Sequence, residues 1–148
     1  MFKLIKLLFL ILVFVFVFQK ISAIHHHKRI SENLLIGTPY LWNNRIILLN
    51  INTHEYEKIK QDFTKKECQI INRKLKIFVK KKASFVDIKD NDKKFVLDFK
   101  FKFKVILIGI DGEIKYQSDE LEDLTKYFSF IDNMPVRQTE IKDDSSCN

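Results

Sequence analysis

The sequence predicts an α/β domain: a mixed sheet in the order strand–helix–strand, short helix, strand–hairpin–strand and helix, with helices on both faces. Three observations carry that expectation. Val105-Ile106-Leu107-Ile108 is an unbroken apolar run, closed by Asp111-Gly112 and answered by the alternating Glu113-Ile114-Lys115-Tyr116, so a covered strand turns into a half-covered one. Leu121, Leu124, Phe128 and Ile131 then fall on one helical stripe. Upstream, an apolar run over Ile46 to Ile51 and another over Leu75-Lys76-Ile77-Phe78-Val79 flank a helical pattern, a unit that packs only as a parallel pair with a right-handed crossover.

The chain begins with a segment that is read as targeting, not fold. Met1 to Lys6 carries two lysines, Leu7 to Phe18 is a run of twelve apolar residues, and Ile21-Ser22-Ala23 offers a cleavage site. The run falls short of the roughly 20 residues a spanning helix needs and has the charge–apolar–small order of a secretory signal. Residues 1–23 are therefore expected to be removed on export to the periplasm or the medium; the alternative is an anchor over residues 2–18, the one route by which this chain meets a membrane. Removal takes three lysines and no acid, leaving 23 basic residues against 19 acidic, +4 in place of +7, over 125 residues. That length buries a core without help from metal or disulfide. The lysine clusters at 65–66, 80–82 and 93–94 are scattered, and an exported chain does not meet nucleic acid, so they read as solvated surface.

Residues 24–38 are a lead-in without periodicity, residues 39–139 the domain, and residues 140–148 a disordered tail. Asn52 with Glu55 three positions on forms a capping box, and Tyr56, Ile59 and Phe63 give that helix one apolar face, with Cys68 near its end. Around Phe95 the chain is read as a short helix, because Phe95, Phe99 and Phe103 lie four apart, running into a strand near Phe101. Ser118 or Asp119 caps the last helix, which Asn133 and Pro135 end. Such a mixed sheet is the layout of the thioredoxin fold.

Three blocks, Tyr40-Leu41-Trp42-Asn43-Asn44-Arg45, Val105 to Lys115 and Ile131-Asp132-Asn133-Met134-Pro135-Val136-Arg137, carry a resemblance. Over about Leu34 to Lys142 the chain resembles a domain-of-unknown-function family found in small exported bacterial proteins and in animal extracellular proteins of the sushi-repeat and coiled-coil-domain-containing type. The resemblance implies a thioredoxin-like, peroxiredoxin-related fold outside the cytoplasm. It implies no activity, and the segment from Lys80 to Asp98 departs from it.

Redox chemistry on such a fold needs a stabilised thiolate at the start of the first helix. Asn52-Thr53-His54-Glu55 stands there instead, and the prolines are Pro39 and Pro135, neither before the third strand. Cys68 and Cys147 admit three states: a bond pinning the tail to the first helix, a buried Cys68, or a free or intermolecular Cys147. Cleavage after Ala23 would expose Ile24-His25-His26-His27, in which His26 is third from a free amine and completes the all-nitrogen square that copper(II) or nickel(II) prefers. Trp42 and Arg45 are residue types that anchor interfaces, and Lys115, Met134 and Arg137 carry the resemblance; each also has a purely architectural reading. The expectation is a binding module for a protein or envelope component, with no cofactor. The alternatives are an enzyme using His54 and an amino-terminal metal carrier.

Overall fold

The computed structural model describes residues 38–96 and 102–141. They form a six-stranded mixed sheet with helices, compatible with a thioredoxin-like α/β fold. The strands are β1 (Arg45–Leu49), β2 (Leu75–Lys81), β3 (Ser84–Asp87), β4 (Lys94–Val96), β5 (Val105–Ile108) and β6 (Ile114–Ser118), in the order β4-β3-β2-β1-β5-β6. β1 runs parallel to β2, and all other neighbours are antiparallel. The all-apolar runs form β1 and β5, neighbours that each have a strand on both sides, and both faces cover them: Ile46 to Leu49 and Val105 to Ile108 are each at most 1% exposed.

Between β1 and β2 the chain makes α1 (Thr53–Lys65) and α2 (Glu67–Asn72), and after β6 it makes α3 (Leu124–Asp132) and α4 (Pro135–Ile141). Ile59, Ile70, Leu124, Tyr127, Phe128 and Ile131 carry these helices onto the face lined by Ile47, Leu49, Ile77, Val79, Val105 and Leu107. The opposite face, built on Ile46, Leu48, Phe78, Phe85, Ile106 and Ile108, is packed by Tyr40, Leu41, Phe103 and Ile114. Among the described residues every helix that enters the core does so from one side, where helices on both faces were expected.

The difference has one source. Where a short helix around Phe95 was expected, residues 84–96 form the β3–β4 hairpin, with Phe85 opposite Phe95 and Val86 opposite Lys94. A period-two pattern also repeats every fourth residue, so the spacing of the phenylalanines never favoured a helix. The local turn decides: the Asp90 carboxylate accepts from Asp92 N at 3.1 Å, and the Asp90 carbonyl accepts from Lys93 N at 3.0 Å, folding the chain back on β3. The strand expected to begin near Phe101 begins at Val105, and Phe101 itself lies outside the described residues.

Two other boundaries move. The last helix starts at Leu124, not near Ser118, because Asp123 caps it by accepting from Thr125 N at 2.7 Å. Pro135 does not merely end that helix: it opens α4, where a missing N–H costs nothing. Glu140 and Ile141 belong to α4, so the expected tail begins no earlier than residue 142 and lies outside the described residues.

Candidate functional site

The expected site residues fall in three places, and the fold explains each. At the amino end of α1 the capping box forms as read: Asn52 Oδ1 accepts from Glu55 N at 2.9 Å, and Glu55 Oε2 accepts from Asn52 N at 3.1 Å. Lys104, on the approach to β5, donates to the other carboxylate oxygen at 2.7 Å. Those bonds, Lys104 first and Asn52 N–H second, hold the Glu55 carboxyl below its ordinary pKa against a small effect of burial. His54 stands exposed beside it. The helix start is thus occupied by the chain's own fixed carboxylate.

The second place is the sheet end where β1 and β2 begin. Arg45 is completely buried and donates through Nη1 to the Arg73 carbonyl and to Glu140 Oε2, both at 3.0 Å. Arg137, 4% exposed, donates to the Asn72 carbonyl at 2.9 Å and to the Asn72 side chain, and lies 3.6 Å from Glu140 and 3.4 Å from Asp132. Arg73 grips Asp132 with two bonds, 3.0 and 2.6 Å, and stacks on the Phe128 ring at 4.5 Å. Lys74 completes the group at 3.2 Å from Glu140. Burial opposes ionisation of Glu140, but Arg45 and Lys74 outweigh it and hold its pKa below the usual value. Four cations around two carboxylates thus lock α4 and the α2–β2 turn against the end of the sheet where β1 and β2 begin. Arg45 Nε and Nη2 are buried with no hydrogen-bond partner.

The third place is an exposed corner. Trp42 is 67% exposed and sits in the left-handed region at φ 62°. Its N–H donates to the Ile110 carbonyl at 2.8 Å, while Asn43 N and Asn44 N both donate to the Tyr40 carbonyl, at 3.0 and 2.8 Å. Asn43 and Asn44 side chains add bonds to the Pro39 carbonyl at 2.9 Å and the Lys74 carbonyl at 3.1 Å. A tryptophan forced to positive φ costs about 1–2 kcal/mol, so its surroundings over-determine a strained and exposed aromatic. The adjoining turn places Gly112 at φ 80°, which the expected Asp-Gly hairpin needs.

Lys115 is the extra residue of a bulge, since Leu107 faces Tyr116 and Ile108 faces Ile114. Its Nζ bridges Asp111 at 2.6 Å and Glu113 at 3.0 Å. A Cβ on Gly109 would meet Asp111 Oδ1 and Lys115 Cε at 2.6 Å, so glycine there leaves room for the pair.

The structure therefore joins Arg45 to Arg137 through Glu140, and Trp42 to the turn that holds Lys115. Met134 is half-buried against the core between α3 and α4. Arg73, Asp132 and Glu140 were not singled out from sequence. The Arg137–Glu140 spacing of three on one helix is the available signal, but Glu140 falls in the expected tail, residues 140–148. Cys68 is exposed on α2 and disulfide-bonded; the suggested partner Cys147, and His25, His26 and His27, lie outside the described residues. Among the described residues no group of three or more His, Cys, Asp or Glu side chains is placed to hold a metal, and no helix is long and apolar enough to cross a membrane. A shallow groove of about 190 Å³ lies between α1 and the loop before α3, lined by Lys58, Asp62, Lys65, Leu121 and Glu122.

Fold and site together define a single α/β domain with a helix-locking arginine cluster and a strained, exposed tryptophan beside a hairpin turn. The profile of a domain of unknown function, DUF4174, matches residues 38–140, and the chain belongs to that family. No curated protein and no solved structure matches it.

Proposed function

We propose that this chain is an exported, thioredoxin-like binding module without a Cys-X-X-Cys site, which holds a protein or envelope component at the corner carrying Trp42. The single observation behind this reading is Trp42 itself: a large aromatic side chain, mostly in solvent, kept in a costly backbone conformation by hydrogen bonds on both sides. Strain of this kind persists where it serves a function, and exposed tryptophan is a favoured interface anchor. Arg45 follows that corner in the chain and is anchored to Glu140 together with Arg137, and Lys115 fixes the adjoining turn. Export is supported by the order of charge, apolar run and small residues over residues 1–23.

Trp42 is the chain's one tryptophan, so its emission reports on this corner directly. Envelope and medium fractions from the source cells are titrated into the purified chain. A saturable blue shift is expected from one fraction, together with loss of retention by that fraction in Trp42→Ala and in Arg137→Ala. Retention that persists in both variants, with emission that never moves, places the contact elsewhere and sinks the assignment.

A further inference from the structure

We propose that the outer edge of β6 docks an extended peptide carrying lysine or arginine. β6 is an edge strand, and among the described residues its backbone is paired with β5 alone. A row of unpaired N–H and C=O groups is a template for strand addition. The opposite edge, β4, has three residues and begins with Lys94 directly after Lys93, and its shortness and these lysines blunt it. β6 has five residues; its one lysine, Lys115, is the bulged residue and is turned onto Asp111 and Glu113, which leaves Tyr116 to Ser118 as a regularly paired edge.

Beside this edge lies an aromatic shelf. The Tyr116 ring packs on Phe130 of α3 at 4.6 Å and 30°, and Phe130 remains 39% exposed. An added strand would set every second side chain over this shelf, which selects apolar residues at alternate positions.

Charge selects the rest. Residues 111–123 carry six carboxylates against Lys115, a net −5, so the other residues of this +7 chain carry +12. Lys115 is already held by Asp111 and Glu113, and Lys126 by Glu122. Asp119 and Glu120, at the end of β6, are exposed and without an ion pair among the described residues. The edge is thus the acidic side of a basic protein, and the complementary occupant is a cationic strand. This surface is separate from the Trp42 corner and does not depend on it.

The probe is a fluorescein-labelled ten-residue peptide alternating valine and lysine, measured against one alternating valine and glutamate and one alternating proline and lysine. The valine–lysine peptide is expected to bind saturably, about tenfold tighter than either control, and to weaken as salt shortens the screening length. Phe130→Ala, and separately Asp119→Asn with Glu120→Gln at exposed positions that leave folding intact, are each expected to weaken it several-fold, while Trp42→Ala leaves it unchanged. Amide exchange should slow over residues 114–118 on binding. The proposal is overturned if the glutamate peptide binds equally well, if the proline peptide does so, if the charge variant binds unchanged, or if protection falls on the α1 groove. Concentration-dependent dimerisation that protects residues 114–118 without peptide would also overturn it, giving the edge to a second copy.

Discussion

Replacing Glu140 tests the reading of the buried arginine cluster most sharply. The Arg45 guanidinium is fully buried, and its charge is answered by one carboxylate oxygen of Glu140 at 3.0 Å and one carbonyl, from Arg73. Glu140→Gln keeps the shape and removes the charge, leaving Arg45 uncompensated with Arg137 as a neighbour. Breaking a buried pair from one side costs roughly 3–5 kcal/mol, a large part of the roughly 5–15 kcal/mol that holds a domain together. For a domain near 100 residues this lowers Tm by about 12–30 °C. Lys74→Ala, which removes a 53% exposed partner of the same carboxylate, should cost less than about 1 kcal/mol. Replacing both members, Arg45→Met with Glu140→Leu, should recover most of the loss, because no buried charge remains.

Urea unfolding of these proteins, together with the single variants Arg45→Met and Glu140→Leu, supplies the free energies and the coupling between positions 45 and 140. A Glu140→Gln cost below about 1 kcal/mol, or additive effects of the two single changes, would show that α4 is not locked by this pair. The same contact has a pH signature. The Glu140 pKa is lowered on folding, so its contribution is complete above the ordinary carboxylate value of 4.5 and is lost as pH falls through the folded value. Glu140→Gln should flatten that part of the acid transition.

At position 42 the strain argument predicts an order: Trp42→Val, branched and still at φ 62°, should be less stable than Trp42→Gly by about 1–2 kcal/mol in the same unfolding assay. Burial pushes the Tyr127 hydroxyl up to about 12 from 10.0, although it accepts a bond from Glu122 N at 2.9 Å. The folded state therefore loses roughly 2–3 kcal/mol between those values as pH rises, seen as tyrosinate absorbance that appears together with unfolding. Asn52→Ala removes the α1 cap and should cost about 1 kcal/mol, with amide exchange quickening over the first turn of that helix.

Elements whose reading rested on a single physical cause were legible. The β1 and β5 runs, the Asp111-Gly112 turn and the Asn52–Glu55 box each depend on residues within a few positions, and each forms. The β3–β4 hairpin was not legible, because the four-residue spacing of Phe95, Phe99 and Phe103 fits a strand as well as a helix and the deciding bonds come from the Asp90 turn. The start of α3 was misplaced because Asp119, Glu120, Glu122 and Asp123 all suit a helix entrance. Asp123 also takes Lys66 at 3.4 Å, and Leu124 N donates to Asp62 at 3.2 Å, contacts some 60 residues away that no local pattern contains. The site divides the same way. Arg45 and Arg137 stood out in the sequence, but their joint partner Glu140 lies 95 residues from Arg45, and only the docking of α4 shows that the two arginines share it.

The start of α1 shows how a fold of this layout can keep an electrostatic device while changing its chemistry. A helix amino terminus favours negative charge, and a redox fold uses that field to hold a cysteine as thiolate. Here the field acts on Glu55, whose carboxylate is also bonded by Asn52 N and Lys104 and has its pKa lowered accordingly. The Lys104 carbonyl in turn accepts from Asn50 N at 2.8 Å, tying the approach to β5 to the end of β1. Glu55 and Lys104 therefore join α1 to the neighbouring strands β1 and β5. A carboxylate in that place cannot form a disulfide with a substrate, but it ionises without a redox partner and stays ionised across neutral pH. Introducing a thiol by Glu55→Cys should thus give a reactive cysteine only at the expense of the Lys104 contact, with alkylation rising and stability falling together. A variant that became reactive with stability unchanged would mean that the Glu55–Lys104 pair holds nothing in place.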